Sequence, residues 1–231
     1  PDGNMNSASI LASTRQPDLP EDLLNIDKLA AATLQRDPYD YLVVPGFLDQ
    51  QVVDAVNADY PLIPSAGNKD YETYERGPVF DAFIEQLTSP EMRDALASKF
   101  GVDLTGSTTT VTVRTFSELS DGNIHTDHWS KVVTVLVYFN DGWEGDGGQL
   151  RILRSKDDIE NYAAQIPPIS GSLMAFRRCD HSFHGYVRYK GPRRMVQMSW
   201  NRPSRMANVS QRISRLGTRL MKLVTRGSGR V

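Results

Sequence analysis

A change of residue pattern near Gly101 constrains the fold of this 231-residue chain more than any other feature. Before Gly101, apolar residues recur at helical spacing. After it, short β-branched or aromatic runs are separated by Gly, Asp, Asn and Pro. These runs span residues 108–116, 131–139, 149–153, 172–177, 183–189 and 194–200. Helices followed by strands predict an α+β fold, with helices covering one face of an antiparallel sandwich or barrel.

The first hundred residues contain four predicted helices and one short predicted strand. The predicted helices span residues 21–36, 49–60, 78–87 and 90–100, and the strand spans residues 41–44. The last helix has the clearest boundaries, because Ser89 supplies an N-cap, Pro90 occupies the first turn and Gly101 ends it.

The charge distribution separates the chain into a body and a C-terminal segment. Seven of the 26 basic residues and none of the 28 acidic residues lie in 205–231, so that segment carries +7 and residues 1–204 carry −9. We predict a single domain over residues 5–204, with helical support in 20–101 and a β core in 105–204. An acidic body of this kind is not expected to bind nucleic acid.

The remaining composition points to a soluble, cytoplasmic protein. No apolar run approaches the roughly 20 residues of a membrane-spanning helix, and residues 1–20 lack the order of a secretory signal. The single cysteine, Cys179, excludes an internal disulfide.

The C-terminal segment is predicted to form a basic amphipathic helix. Its apolar residues recur at three- and four-residue steps between Arg and Lys: Ile213, Leu216, Leu220, Leu223 and Val224. Two interpretations stay open. Residues 210–226 lie on an anionic membrane surface, which would make the protein peripheral to a membrane, or the helix packs against its own acidic body.

The four histidines fall into two tight groups, which suggests a metal site. His125 and Asp127 are two residues apart, so in a strand both side chains project to the same face. A third ligand from the distant second group, either His184 or His181, would complete two histidines and one carboxylate. Such a set holds Fe(II) and leaves positions open for other ligands.

The residues around both histidine groups follow an ordered pattern. His125-Thr126-Asp127 is followed by Asn140-Asp141-Gly142-Trp143, then Gly147-Gly148-Gln149-Leu150, Ser182-Phe183-His184-Gly185 and, ten residues after His184, Arg194. From residue 111 to 200, with a weaker echo in 41–48, this order resembles the Fe(II)/2-oxoglutarate-dependent oxygenases, specifically their prolyl-4-hydroxylase-like branch.

The resemblance implies a fold and a reaction. The core would be a double-stranded β-helix, or jelly roll, in which the catalytic residues His125, Asp127 and His184 bind Fe(II). With 2-oxoglutarate and O₂, the enzyme would act as a dioxygenase. It would hydroxylate an unactivated C–H bond of a peptidyl or prolyl residue or a small molecule, releasing succinate and CO₂. Halogenating relatives lack the carboxylate ligand, so the presence of Asp127 favours hydroxylation.

The resemblance also implies residues that hold 2-oxoglutarate. Arg194 is expected to bind its far carboxylate, since Arg194, Val196, Met198 and Trp200 alternate onto one face of the last strand. A slip of one residue would put Arg193 there instead. Thr115 stands ten residues before His125, where relatives often have a tyrosine that contacts the cofactor, and Thr134 could donate a hydrogen bond instead. The predicted cofactor-binding residues are thus Arg194, Thr134, Thr115 and Trp200.

Three other functions are compatible with parts of this pattern. A jelly roll without catalysis could serve as a binding module, and the same three ligands could hold zinc in a hydrolase. A nucleic-acid demethylase of the same superfamily is the third. It is disfavoured because such enzymes usually carry a second arginine six residues beyond the first, where this chain has Trp200.

Overall fold

The protein is described by a computed structural model that covers residues 20–145 and 147–203. Within these residues, the helices are α1 (Ile26–Ala31), α2 (Gln50–Ala58), α3 (Pro78–Leu87) and α4 (Pro90–Phe100). The strands are β1 (Tyr41–Val44), β2 (Lys69–Asp70), β3 (Thr108–Ser117), β4 (Lys131–Tyr138), β5 (Leu150–Leu153), β6 (Tyr162–Ile166), β7 (Leu173–Arg177), β8 (His184–Gly185) and β9 (Gly191–Asn201). A short 3₁₀ turn, Tyr71–Thr73, follows β2.

The strands form two antiparallel sheets of unequal size. The major sheet has the order β1-β7-β4-β9-β3-β2, and the minor sheet has the order β6-β5-β8. Long pairings dominate the centre of the major sheet, where β9 lies between β3 and β4. This places the chain's last described strand in the middle of the sheet.

Both faces of the major sheet are buried, each against a different layer. One face packs against the helices, and its buried side chains include Val135, Ala175, Val196 and Met198. The opposite face packs against the minor sheet and includes Leu136, Met174, Phe176 and Met195. Alternation along each strand therefore sends apolar side chains into two cores rather than into one core and solvent.

This arrangement confirms the predicted α+β fold with helices laid on one sheet. Helix α4 has the predicted bounds, because Ser89 Oγ accepts a hydrogen bond from the Met92 backbone N–H and Gly101 adopts the left-handed conformation that ends the helix. The predicted helix over 21–36 is wrong in extent, since α1 ends at Ala31. Gln35 instead pairs with Tyr41.

The predicted basic C-terminal segment and its membrane contact lie outside the described residues. Residues 205–231, including 210–226, belong to neither described range. No helix in 20–145 or 147–203 is long and apolar enough to cross a bilayer.

We predict that the helical layer contributes directly to the stability of the sheet. Leu87 of α3 is 0% exposed in the helix-side core, so Leu87→Ala should lower the free energy of unfolding by about 2–5 kcal/mol. Chemical denaturation measures this quantity. The matched control is Leu62→Ala at an 89% exposed position, which should change the free energy by no more than about 0.5 kcal/mol. Equal, small effects of both substitutions would contradict the packing of this layer.

Candidate functional site

Two segments that are distant in sequence meet here: the loop that precedes β4, which carries His125 and Asp127, and β8, which carries His184. They bring three potential metal ligands together. One ligand atom from each of His125, Asp127 and His184 lies within 4.8 Å of the other two. The backbones of His125 and His184 form an antiparallel bridge, with N–H to O distances of 3.0 Å in both directions. Their ring centroids are 4.4 Å apart. The three predicted ligands therefore lie close enough together to hold one metal ion.

The tautomer of each histidine follows from its hydrogen bond to the backbone. Nδ1 of His125 lies 2.8 Å from the carbonyl oxygen of Asn123, and Nδ1 of His184 lies 3.0 Å from that of Ser182. A carbonyl only accepts, so each Nδ1 carries the proton and donates it. Nε2 of both rings is left as the ligand atom, the usual arrangement at metal-binding histidines.

Burial keeps His184 in the form that a metal requires. His184 is buried, and this, together with the neighbouring His125 ring, lowers the pKa of His184 to about 4. Its imidazole is therefore neutral near pH 7. The ring also lies against Phe176, with centroids 4.7 Å apart. A neutral, sterically fixed imidazole is ready to coordinate without first losing a proton.

The Asp127 carboxylate is held by two donors from β4. Lys131 Nζ donates to Oδ1 at 2.9 Å, and Thr134 Oγ1 donates to Oδ2 at 2.5 Å. Burial by itself raises the pKa of Asp127, but the electrostatic interactions with His184 and Lys131 and the two hydrogen bonds bring the pKa below its usual value. Asp127 is thus ionised and fixed in orientation.

A cavity of about 270 Å³ adjoins the three ligands. Its apolar walls include Leu136, Phe176 and Met195. Arg193 also lines it, and this side chain is 1% exposed. Its Nε donates to the Gly148 carbonyl at 2.9 Å and its Nη1 contacts Met195 Sδ at 3.0 Å.

The Arg193 guanidinium has a buried charge without an acidic partner. Among the described residues, no carboxylate lies within ion-pairing distance of it. Aromatic faces surround it instead, with the Tyr186 and Tyr138 ring centroids 4.5 Å and 5.7 Å away. Because an unpaired buried charge is costly, this arrangement fits an anionic ligand. A metal-chelating dicarboxylate such as 2-oxoglutarate has one carboxylate for the metal and one for this arginine.

The predicted orientation of Arg194 and Trp200 is wrong by one residue. Arg194 faces the helices, where its Nη1 donates to Asn57 Oδ1 at 2.7 Å and its guanidinium lies 4.9 Å from the Tyr60 ring centroid. Trp200 lies in the helix-side core. The apolar alternation along β9 marks the face against the helices, and the cavity face carries Arg193 and Met195. The sequence pattern could not distinguish these faces because both are buried.

The two predicted threonines have different positions. Thr115 is not in the cavity of the three ligands: its Oγ1 donates to the Ile63 carbonyl, and it lines a separate surface cavity with Arg194. Thr134 lies in the predicted place, but its hydroxyl is directed at Asp127. The other histidines, His128 and His181, are exposed and do not belong to the ligand cluster found among the described residues.

Arg114 is a cavity residue that the sequence pattern did not indicate. Its Nη1 donates to Asp121 Oδ2 at 2.9 Å, to Ser117 and to the Tyr186 hydroxyl at 2.8 Å. These bonds tie β3 to the loop that precedes His125. The available signal was a charged residue inside a β-branched strand, which requires a buried partner.

A known family model matches the part of the chain that carries this site. Residues 115–202 match the family model described as the 2OG-Fe(II) oxygenase superfamily, a segment that contains all three ligands and Arg193. No curated protein matches the sequence.

Two solved prolyl 4-hydroxylase structures are similar to this chain in fold. The structure of a Pseudomonas putida prolyl-4-hydroxylase aligns with a TM-score of 0.50 at 18% identity, over 77% of this chain and 92% of that one. A prolyl 4-hydroxylase structure from Phytophthora capsici aligns with a TM-score of 0.54 at 16% identity, over 81% and 69% of the two chains. At these identities the likeness shows a shared double-stranded β-helix fold. The segment 115–202 is thus similar to the 2OG-Fe(II) oxygenase superfamily, whose use of iron and 2-oxoglutarate fits the three converging ligands, and the chain has a prolyl-4-hydroxylase-like fold.

Proposed function

We propose that this enzyme hydroxylates an unactivated C–H bond and converts 2-oxoglutarate to succinate and CO₂ in the same turnover. The observation that carries the proposal is one cavity lined by three converging ligands and by a buried arginine without an acidic partner. The family match supplies the reaction class, and the residues below supply the binding groups.

His125, Asp127 and His184 are the proposed iron ligands. The two Nε2 atoms and one carboxylate oxygen would hold the ion as two histidines and one carboxylate, a ligand set that suits Fe(II) and further ligands. When bound there, Fe(II) and 2-oxoglutarate supply the activation of O₂. The protein contributes fixed ligands, since both histidines are oriented by backbone carbonyls and Asp127 by Lys131 and Thr134.

Arg193, rather than Arg194, is the proposed anchor for the far carboxylate of 2-oxoglutarate. Its guanidinium can make two parallel hydrogen bonds to a carboxylate, and the walls formed by Leu136, Phe176 and Met195 keep the pair away from water. In such surroundings a charge pair is stronger than at the surface. The anchor also fixes which end of the cosubstrate meets the metal.

A substrate presented from outside the cavity fits best. At about 270 Å³ the cavity is slightly smaller than the pockets of roughly 300–1,000 Å³ that enclose whole ligands, and the cosubstrate takes part of it. His125, Asn68 and Gln197, which are not fully buried, line the same cavity. The site therefore suits a peptide substrate that inserts one residue into the open end of the cavity. A peptidyl residue, with proline first because of the two hydroxylase structures, is the proposed substrate class, and a free small molecule is the alternative.

The reaction is tested by succinate formation and by substrate mass. With Fe(II), 2-oxoglutarate and O₂, the wild type should form succinate, and proline-containing peptides should gain the mass of one oxygen atom. His125→Ala and Asp127→Ala should reduce both signals to background because each removes a metal ligand. The exposed His181 is the matched control, and His181→Ala should retain the wild-type rate. Identical background in the wild type and all variants would instead favour a non-catalytic binding module.

The anchor is tested by comparing the two neighbouring arginines. Arg193→Met should raise the 2-oxoglutarate KM about 100-fold, since removing one partner of a buried charge pair costs about 2–5 kcal/mol. Arg194→Met changes the same residue type on the opposite face and should leave KM within a few-fold. Direct binding of 2-oxoglutarate to the Mn(II)-loaded protein should likewise be weakened more by Arg193→Met than by Arg194→Met. A larger effect of Arg194→Met in both measurements would contradict the assignment.

A further inference from the structure

Asp127 is the one acidic side chain among the three proposed ligands, and its charge is already paired with Lys131. Lys131 Nζ lies 2.9 Å from Oδ1, with side-chain exposures of 18% for Lys131 and 8% for Asp127. Among the described residues, Lys131 has no other ion pair. A partly buried pair of this kind is screened much less by salt than a surface pair.

The cavity as a whole carries excess positive charge. Its lining contains three cationic side chains, Arg114, Lys131 and Arg193, and Asp127 is its one carboxylate among the described residues. Arg114 is neutralised by Asp121, which lies just outside that lining. Lys131 and Arg193 therefore offset the Asp127 charge more than completely. This net positive charge repels a bare divalent cation and attracts a dianion.

We propose that Lys131 is a positioning residue that acts through Asp127 to weaken metal binding on its own and to strengthen binding of the dianionic cosubstrate to the metal-loaded site. The inference rests on the proposed function, since it takes the three ligands as the metal site. The Lys131 ammonium repels a bound dication and attracts a bound dianion. The two interaction energies have opposite signs and similar magnitudes. Lys131 thus weakens metal binding and strengthens the later binding of the cosubstrate by similar amounts. The total free energy of binding both ligands stays nearly unchanged.

Thr134 makes this charge effect separable from a steric one. Its hydroxyl holds the other carboxylate oxygen, Oδ2, at 2.5 Å and is buried. Asp127 therefore keeps one fixed hydrogen bond when Lys131 is replaced. A change in metal affinity would then report the lost charge rather than a displaced ligand.

The test is a titration of the full-length protein with Mn(II), a redox-stable substitute for Fe(II), followed by 2-oxoglutarate. Three substitutions at position 131 separate charge from hydrogen bonding. Lys131→Gln keeps a donor without the charge, Lys131→Met removes both, and Lys131→Arg keeps both. Isothermal calorimetry and the Mn(II) paramagnetic resonance signal report binding without turnover.

Both neutral variants should bind Mn(II) alone more tightly and bind 2-oxoglutarate to the loaded protein more weakly. We expect changes of roughly tenfold each, within the 5- to 150-fold range of coupling between interacting sites, with the product of the two constants nearly unchanged. Lys131→Arg should stay within a few-fold of the wild type. Lys28→Met is the matched control, because Lys28 pairs with Asp49 away from the cavity, and it should change neither constant.

Two results would overturn the inference without touching the proposed function. One is weaker binding of both ligands in the neutral variants, which would indicate a purely steric role. The other is unchanged affinities while His125→Ala abolishes Mn(II) binding. If the wild type and His125→Ala bind Mn(II) equally, the proposed metal site itself is wrong.

Discussion

The site depends on a pair of reciprocal backbone hydrogen bonds between His125 and His184. They join a loop that follows β3 to a strand near the end of the chain, so both imidazoles occupy one place although they are far apart in sequence. Each ring then donates its Nδ1–H to a carbonyl two residues earlier. Without the bridge, the loop that carries His125 would not be held against β8, and the side chains of His125, Asp127 and His184 would not converge.

The second requirement is a sheet that is buried on both faces. Helices cover one face of the major sheet, and the minor sheet covers the other. This construction buries Arg193 among apolar and aromatic side chains, where its charge would interact more strongly with an anion than it would in water. It also separates adjacent arginines into different environments: Arg193 lies in the cavity, and Arg194 lies beneath the helices at Tyr60. The alternation of side chains along β9 thus sends one arginine into the cavity and its neighbour into the layer beneath the helices.

The sequence predicted those features that local chemistry determines. The bounds of α4 follow from a serine cap and a terminal glycine, and the two-residue step between His125 and Asp127 places both on one side of the chain. It did not predict features that depend on packing. The strand β6 lacks a strong β pattern, and its Ala164 and Gln165 are ordered by pairing with β5 rather than by propensity. The orientation of β9 was mispredicted because its apolar face is not the cavity face. Residues 32–36 leave the helical path where Gln35 pairs with Tyr41.

In the proposed site, three side chains bind one ferrous ion and a buried positive charge receives the cosubstrate bound beside it. The most direct measurement is anaerobic addition of 2-oxoglutarate to the Fe(II)-loaded protein, followed by visible absorption of the metal-to-ligand charge-transfer band. If the three ligands and Arg193 form this site, a band should appear that saturates at one equivalent of 2-oxoglutarate and is lost in His184→Ala. A wild-type protein that binds iron but develops no band, or a band that survives loss of His184, would contradict this assignment.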